Sequence, residues 1–253
     1  CHRYFNSWGR VLKLFFLIPV YNHPKTLDQV VANCLKHNAD VLLVDDGSNQ
    51  ETKKAIAKVV EKYTRVFAIS LPENQGKGGA VLRGFRWGIS QGYTHAFQLD
   101  ADGQQASDDI APFIKASAQA PLALINGYPI YNQSAPLARR WGRKVTNFWV
   151  CINTLSMSIK DALCGFRIYP LNAVQQLLKT QPYLGLRMDF DCDLLVQMAW
   201  QGTDIINLPV KIDYPSDGVS HFHAIENWRI SKMHARLFFG MLRRLPVLLR
   251  KSR

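Results

Sequence analysis

No apolar run in the sequence reaches the length of about 18 residues that a bilayer-spanning helix needs. The longest uncharged candidate, Val145 to Ile159, is diluted by Thr146, Asn147, Asn153, Thr154, Ser156 and Ser158. Cysteine is scarce and poorly spaced for bridging. Cys1, Cys34, Cys151, Cys164 and Cys192 form an odd set without a C-x-x-C pair, which argues against a disulfide scaffold and for a reducing cytoplasm. The two common nucleotide fingerprints, a Walker loop ending in Gly-Lys-Ser/Thr and G-x-G-x-x-G, are both missing. Internal repeats, low-complexity stretches and clear linkers are missing too. No signal peptide is evident, and a start at Cys1 rather than Met leads us to expect that the natural N-terminus lies further upstream. What is abundant is core material: 47% of the 253 residues are apolar and 11% aromatic, with 20% charged, which excludes a disordered chain.

Acids are outnumbered, 19 Asp and Glu against 31 Lys and Arg, and the imbalance is unevenly spread. Residues 1–26, 110–160 and 227–253 carry four, six and eight basic side chains and no acid. Residues 27–109 and 161–226 are instead net acidic, with eleven acids against nine bases and eight against four. Alternation of this kind suits a nucleic-acid binder, or an enzyme with clustered catalytic acids that lies on an anionic membrane.

The first half alternates strand-like and helix-like segments. Leu12–Val20, Asp40–Val44, Arg65–Leu71 and Thr94–Leu99 read as strands. Between them run predicted helices from a Thr26 cap to about His37, over Gln50–Tyr63 and over Gly79–Gln91. This rhythm predicts an α/β fold with a doubly wound, mostly parallel sheet, whose ligands bind beyond the carboxyl ends of the strands. Polar clusters fall at those ends: Tyr21-Asn22, Asp45-Asp46 and Asp100-x-Asp102. A lone Asp at a strand end is explained by turn formation, but two such clusters in register favour a site. Asp100 and Asp102, with Gly103 permitting a turn, supply hard oxygens suited to Mg2+ or Mn2+ on a diphosphate, and Gln104 adds a neutral oxygen. Gly76-Lys77-Gly78-Gly79 leads into a helix and offers backbone N–H groups to an anion, although a plain turn explains it nearly as well.

Ile18-Pro19-Val20-Tyr21-Asn22, Val44-Asp45-Asp46-Gly47-Ser48, Asn74-Gln75-Gly76-Lys77-Gly78 and Asp100-Ala101-Asp102-Gly103-Gln104 stand in order along the chain. Asp161-Ala162-Leu163-Cys164-Gly165-Phe166-Arg167 and Leu208-Pro209-Val210 to Gly218-Val219-Ser220-His221 continue the series. Together they resemble the signature of family 2 glycosyltransferases, in particular the dolichol-phosphate mannosyltransferase-like branch, over roughly residues 12–223. The resemblance implies a GT-A, Rossmann-like fold and sugar transfer with inversion from a UDP- or GDP-linked donor. It implies that Pro19, Tyr21 and Asp46 hold nucleobase and ribose, with Gly76 and Lys77 also on the donor. It further implies that Asp100, Asp102 and Gln104 hold Mg2+ or Mn2+.

Two segments depart from the mannosyltransferase-like pattern. His221 stands where relatives carry a phosphate-contacting Lys, and is expected on the diphosphate or on the metal. Met188-Asp189-Phe190-Asp191-Cys192-Asp193 opens a predicted helix with more acids than capping needs. Such a cluster raises one member's pKa, which suits a general base, with Asp191 the first choice and Asp193 the second. A base is needed for a hydroxyl acceptor and not for an ionised lipid phosphate, so the cluster tilts the expectation toward a hydroxyl.

Arg139 and Arg140 fall where related enzymes receive their acceptor, and the arginines suit an acceptor phosphate or a membrane headgroup; Asp161 and Arg167 are also expected on substrate. From Asn227 a basic amphipathic helix is predicted, interrupted by Pro246, either lying on anionic lipid or packed on its own domain. The partition expected is a catalytic domain over 12–223 and a tail over 224–253. The activity expected is a metal-dependent, inverting glycosyltransferase at the cytoplasmic membrane face, acting on a lipid or lipid-borne hydroxyl. The alternatives are a polyprenyl-phosphate acceptor, a nucleotide-binding pseudoenzyme, and a basic nucleic-acid-binding protein. The last leaves the acidic strand ends unexplained, so no nucleic-acid partner is expected.

Overall fold

Side chains of successive residues in a strand point to opposite faces. In this protein Phe16, Ile18, Val41 and Leu43 enter one core while Phe15, Leu17, Leu42 and Val44 enter the other. A sheet apolar on both faces must be covered on both, and the helices do so. The computed structural model describes residues 4–5, 11–103, 107–131, 137–180, 182–212 and 224–251. Strands β1 (Tyr4–Phe5) and β2 (Val11–Leu12) form a small antiparallel ribbon. The main strands are β3 (Leu14–Val20), β4 (Asp40–Asp45), β5 (Val66–Ser70), β6 (His95–Gln98), β7 (Leu124–Tyr131), β8 (Arg167–Pro170) and β9 (Ile205–Ile212).

They are ordered β5-β4-β3-β6-β8-β7-β9, and β8 alone runs against its neighbours. Helices α1 (Leu27–Leu35), α2 (Gln50–Lys62) and α4 (Ile110–Gln119) cover one face. Helices α3 (Lys77–Ser90), α6 (Leu171–Lys179) and α7 (Phe190–Gln201) cover the other. Helix α5 (Leu137–Thr154) packs beside α7, and α8 (Ala224–Lys251) packs on both α5 and α7. This is the expected GT-A arrangement, α/β and mostly parallel.

The reversed strand matters for the site. The parallel strands β3, β4 and β6 end at one edge of the sheet, whereas β8 begins there. Arg167 at its start pairs in register with both Gln98, the last residue of β6, and Asn126 of β7. One edge thus collects Asp45-Asp46, Gln98 to Asp102, and Arg167.

Two local expectations are corrected. Thr26 makes no side-chain cap; its hydroxyl donates instead to the Ala101 carbonyl at 2.6 Å, tying the start of α1 to the Asp100–Asp102 turn. Pro246 does not interrupt the tail, because α8 runs on to Lys251 with the proline inside it. A proline's fixed φ is compatible with a helix, and its missing N–H and its ring disturb only the preceding turn. The tail's apolar stripe takes the packed option: Met233, Leu237 and Met241 are buried.

Candidate active site

At the end of β4 the chain turns on two aspartates. Asp45 accepts from the Ser48 amide at 2.9 Å. Asp46 reaches across to the glycine loop, where its two oxygens accept from the amides of Gln75 (2.7 Å) and Gly76 (2.9 Å). The anion that this loop cradles is therefore the protein's own carboxylate. Burial raises the Asp46 carboxyl above its ordinary value, against the opposing pull of those two amides. Gly76 is confined to glycine, since its φ of +90° is left-handed territory and a Cβ there would strike the Leu186 carbonyl.

Lys77 opens α3 immediately after this loop. Its ammonium bridges two carboxylates, Asp100 Oδ1 at 2.8 Å and Asp191 Oδ2 at 2.7 Å. Asp191 comes from the first turn of α7, and its other oxygen accepts from Gln98 Nε2 at 2.9 Å. Burial alone would raise the Asp191 carboxyl, but Lys77 and then Arg167 outweigh it and hold the group below the carboxylate range. Burial likewise opposes the charge on Lys77, and Asp100 and Asp191 reverse that and raise its pKa. The loop leading into β8 closes over the pair. A Cβ at Gly165 would lie 2.5 Å from Lys77 Nζ and 2.8 Å from Asp100 Oδ2.

A buried polar chain supports this centre. Arg167 is fully buried and donates to the Asp191 carbonyl at 2.6 Å and to Asn126 Oδ1 at 2.8 Å. Asn126 in turn donates to the Asp161 carbonyl at 2.9 Å. The Asp161 carboxylate accepts from Arg143 (2.7 Å) and from the amides of Leu163 (2.9 Å) and Cys164 (2.7 Å), fixing the loop that carries Gly165.

Against known proteins, the profile described as Glycosyl transferase family 2 matches residues 15–178, well over half of the chain. The chain belongs to glycosyl transferase family 2. Among curated relatives, it is 28% identical over 218 residues to the UDP-N-acetylglucosamine--dolichyl-phosphate N-acetylglucosaminyltransferase of Methanococcus voltae, covering 79% of this chain and 86% of that one. It is 26% identical over 219 residues to the polyprenol monophosphomannose synthase of Mycolicibacterium smegmatis, covering 81% and 78%. These relatives support the dolichol-phosphate-sugar branch of the family. Among solved structures it is similar in fold to the mannosyltransferase PcManGT of Pyrobaculum calidifontis in complex with GDP-Man and Mn2+, with a TM-score of 0.58 at 16% identity. That match covers 92% of this chain and 64% of the other. The mannosyl-3-phosphoglycerate synthase of Rubrobacter xylanophilus gives a TM-score of 0.63 at 14% identity, covering 93% and 75%.

Within this family 2 glycosyltransferase, the structure brings together Asp46, Gly76, Lys77, Asp100, Arg167 and Asp191 of the residues singled out from sequence. Pro19 and Tyr21 sit at the end of β3, with Tyr21 exposed. Asp102 lies in the turn after β6, where Gly103 takes the expected positive φ of +72°. Gln104 and His221 lie outside the described residues, and Arg139 and Arg140 are on the first turn of α5 with side chains that also lie outside them. Asp193 is not part of the cluster. Its carboxylate is fully buried and engaged by the Gly185 amide (2.8 Å), Gln197 (2.8 Å) and Arg236 of α8 (2.6 Å). Arg167, expected on substrate, is sealed inside and positions Asp191 instead.

Three residues escaped the sequence reading. Gln98 and Asn126 are buried polar residues inside apolar strands, and that mismatch was the available signal. Arg187 donates to Asn74 at 3.0 Å across the glycine loop, and only its place as a base within an acidic block marked it. For a divalent ion, no group of three or more His, Cys, Asp or Glu is assembled among the described residues.

Proposed function

We propose that this glycosyltransferase moves a sugar from a UDP- or GDP-linked donor to a polyprenyl- or dolichyl-type phosphate, in one inverting displacement that depends on Mg2+ or Mn2+. One observation carries the choice of acceptor. Asp191, the carboxylate best placed to be a base, is ion-paired to Lys77 and held below the ordinary carboxylate range. A group so stabilised as an anion is a poor proton acceptor. An acceptor already ionised at neutral pH, such as a lipid monophosphate, needs none. The expectation of a hydroxyl acceptor activated by Asp191 or Asp193 is therefore replaced by its polyprenyl-phosphate alternative, which the activities named for the two curated relatives also support.

In this reading Asp100 and Asp102 would hold the metal, which would supply positive charge against the diphosphate of the leaving nucleotide. Tyr21 and the turn at Asp45-Asp46 flank the donor. Lys77 stands at the glycine loop beside the leaving group. The catalytic unit is residues 12–223, and residues 224–253 form the tail. No helix among the described residues is long and apolar enough to cross a membrane. Exposed Trp141 and Phe148 on α5, and Trp228 and Phe239 on α8, lie among basic side chains and support peripheral association with an anionic cytoplasmic leaflet.

The test is transfer from radiolabelled UDP- and GDP-sugars, with Mn2+, to undecaprenyl or dolichyl phosphate and to the matching free alcohol. Label in the lipid phosphate alone is expected. Transfer to the alcohol, or to neither, overturns the reading.

A further inference from the structure

Lys77 is ion-paired to Asp100, the carboxylate expected to hold the metal. Its ammonium lies 2.8 Å from Asp100 and 2.7 Å from Asp191, under the backbone of Gly165. Lys77 thus bridges the carboxylates of Asp100 and Asp191, while Arg167 holds the Asp191 carbonyl from beneath. A divalent ion added to Asp100 alone meets a fixed positive charge at contact distance. A divalent ion that arrives with a nucleotide diphosphate brings compensating negative charge with it.

We propose that Lys77 is the site's resident cation: it occupies Asp100 in the donor-free enzyme, and swings wholly onto Asp191 when metal and donor diphosphate bind together. The lysine then makes metal binding contingent on the donor. Asp191 is a positioning residue that keeps the displaced ammonium inside the site, beside the diphosphate. This inference rests on the reading of Asp100 as a ligand of a divalent ion.

The geometry allows the exchange without moving the backbone. Lys77 is on the first turn of α3 with a flexible four-carbon stem, and both carboxylates already lie within its reach. Gly165 leaves no side chain in the path between them. The Asp191 oxygen bonded to Gln98 stays in place throughout, so the second anchor is fixed while the first is surrendered.

The experiment is calorimetric titration of Mn2+ into the full chain, alone and with saturating UDP or GDP. For the wild type, Mn2+ binding is expected to be weak alone and strongly enhanced by the nucleotide. In Lys77→Met, Mn2+ alone should bind at least about tenfold more tightly than to the wild type, and the enhancement by nucleotide should shrink by the same factor. A lysine that merely stabilises the fold would not shift Mn2+ affinity in that direction. Unchanged or weaker Mn2+ binding by Lys77→Met, with the wild type still binding Mn2+ in the presence of nucleotide, overturns the role of Lys77 alone. No Mn2+ binding by the wild type even with either nucleotide overturns the metal reading and this inference together. Should Lys77→Met fail to fold, Lys77→Gln replaces it. A measurement on the wild type needs no variant: the Lys77 ammonium resonance in 15N-lysine-labelled protein should shift when Mg2+ and nucleotide are added together, and a resonance unmoved by saturating Mg2+ and nucleotide overturns the exchange.

Discussion

Asp46→Asn separates two accounts of the residue that the sequence alone merges. If Asp46 mainly holds a nucleobase, the substitution weakens donor binding and leaves the apo protein as stable as before. The structure gives it another task, since both oxygens accept backbone amides of the glycine loop, at 2.7 and 2.9 Å, from a side chain only 3% exposed. A hydrogen bond to a charged acceptor contributes about 1.5–3 kcal/mol, and a neutral one about 1 kcal/mol. An asparagine keeps one oxygen and turns an amino group toward the other amide. One bond weakens, the other becomes a donor facing a donor, and a buried N–H loses its partner.

Those losses come to about 3–5 kcal/mol. The neutral side chain recovers part of this, because the burial that raises the Asp46 carboxyl no longer acts on a charge. The expected net destabilisation is about 2–4 kcal/mol, which for a chain of this size lowers Tm by about 5–15 °C. Urea unfolding and thermal melts of the nucleotide-free protein measure it. An unchanged midpoint accompanied by lost UDP or GDP binding would refute the loop-clamping argument and return Asp46 to the nucleobase.

Three further outcomes are expected. Gly165→Ala places a methyl 2.5 Å from Lys77 Nζ, so it should lower activity by tenfold or more while destabilising by no more than about 3 kcal/mol; wild-type activity would exclude the close packing. Burial lowers both His95 and His234 from near 6.5 to about 4, so the unfolded chain takes up their protons first on acidification. Stability should therefore fall from pH 6.5 toward pH 4, each histidine contributing a loss of about 2 kcal/mol by pH 5, and His234→Phe should flatten the slope of urea-derived stability against pH. Arg236→Ala strips the counter-charge from fully buried Asp193 and should cost about 3–5 kcal/mol in urea unfolding; a loss below about 1 kcal/mol would show that α8 is held by its apolar face alone.

The strand ends were legible because their signal is local. An apolar run followed by Tyr21-Asn22, Asp45-Asp46 or Asp100-x-Asp102 reports its own termination, and each cluster falls where a doubly wound sheet keeps its ligands. The direction of β8 was not legible, since four residues carry no mark of which neighbour they pair against. That reversal brings Arg167 under the site. The low pKa of Asp191 was not legible for a related reason. Three acids close in sequence suggest mutual repulsion and a raised pKa, but Lys77 lies 114 positions away and is delivered by the glycine loop. Pair interactions between distant elements leave no periodicity behind, so the sequence could present Asp191 and Lys77 as separate candidates without joining them.

Helical geometry completes the explanation of the acidic cluster. Residues two apart on a helix lie about 200° apart around its axis. In the first turn of α7, Asp191 consequently faces the sheet edge, with Lys77 and Gln98, while Asp193 faces Gly185 and Arg236 of α8. Neither acid is surplus. One holds the ammonium of the site and the other holds the tail, and a single helical turn carries both. The C-terminal helix is thereby joined to the centre of the site through one rigid element, so the tail also fixes the turn from which Asp191 reaches Lys77.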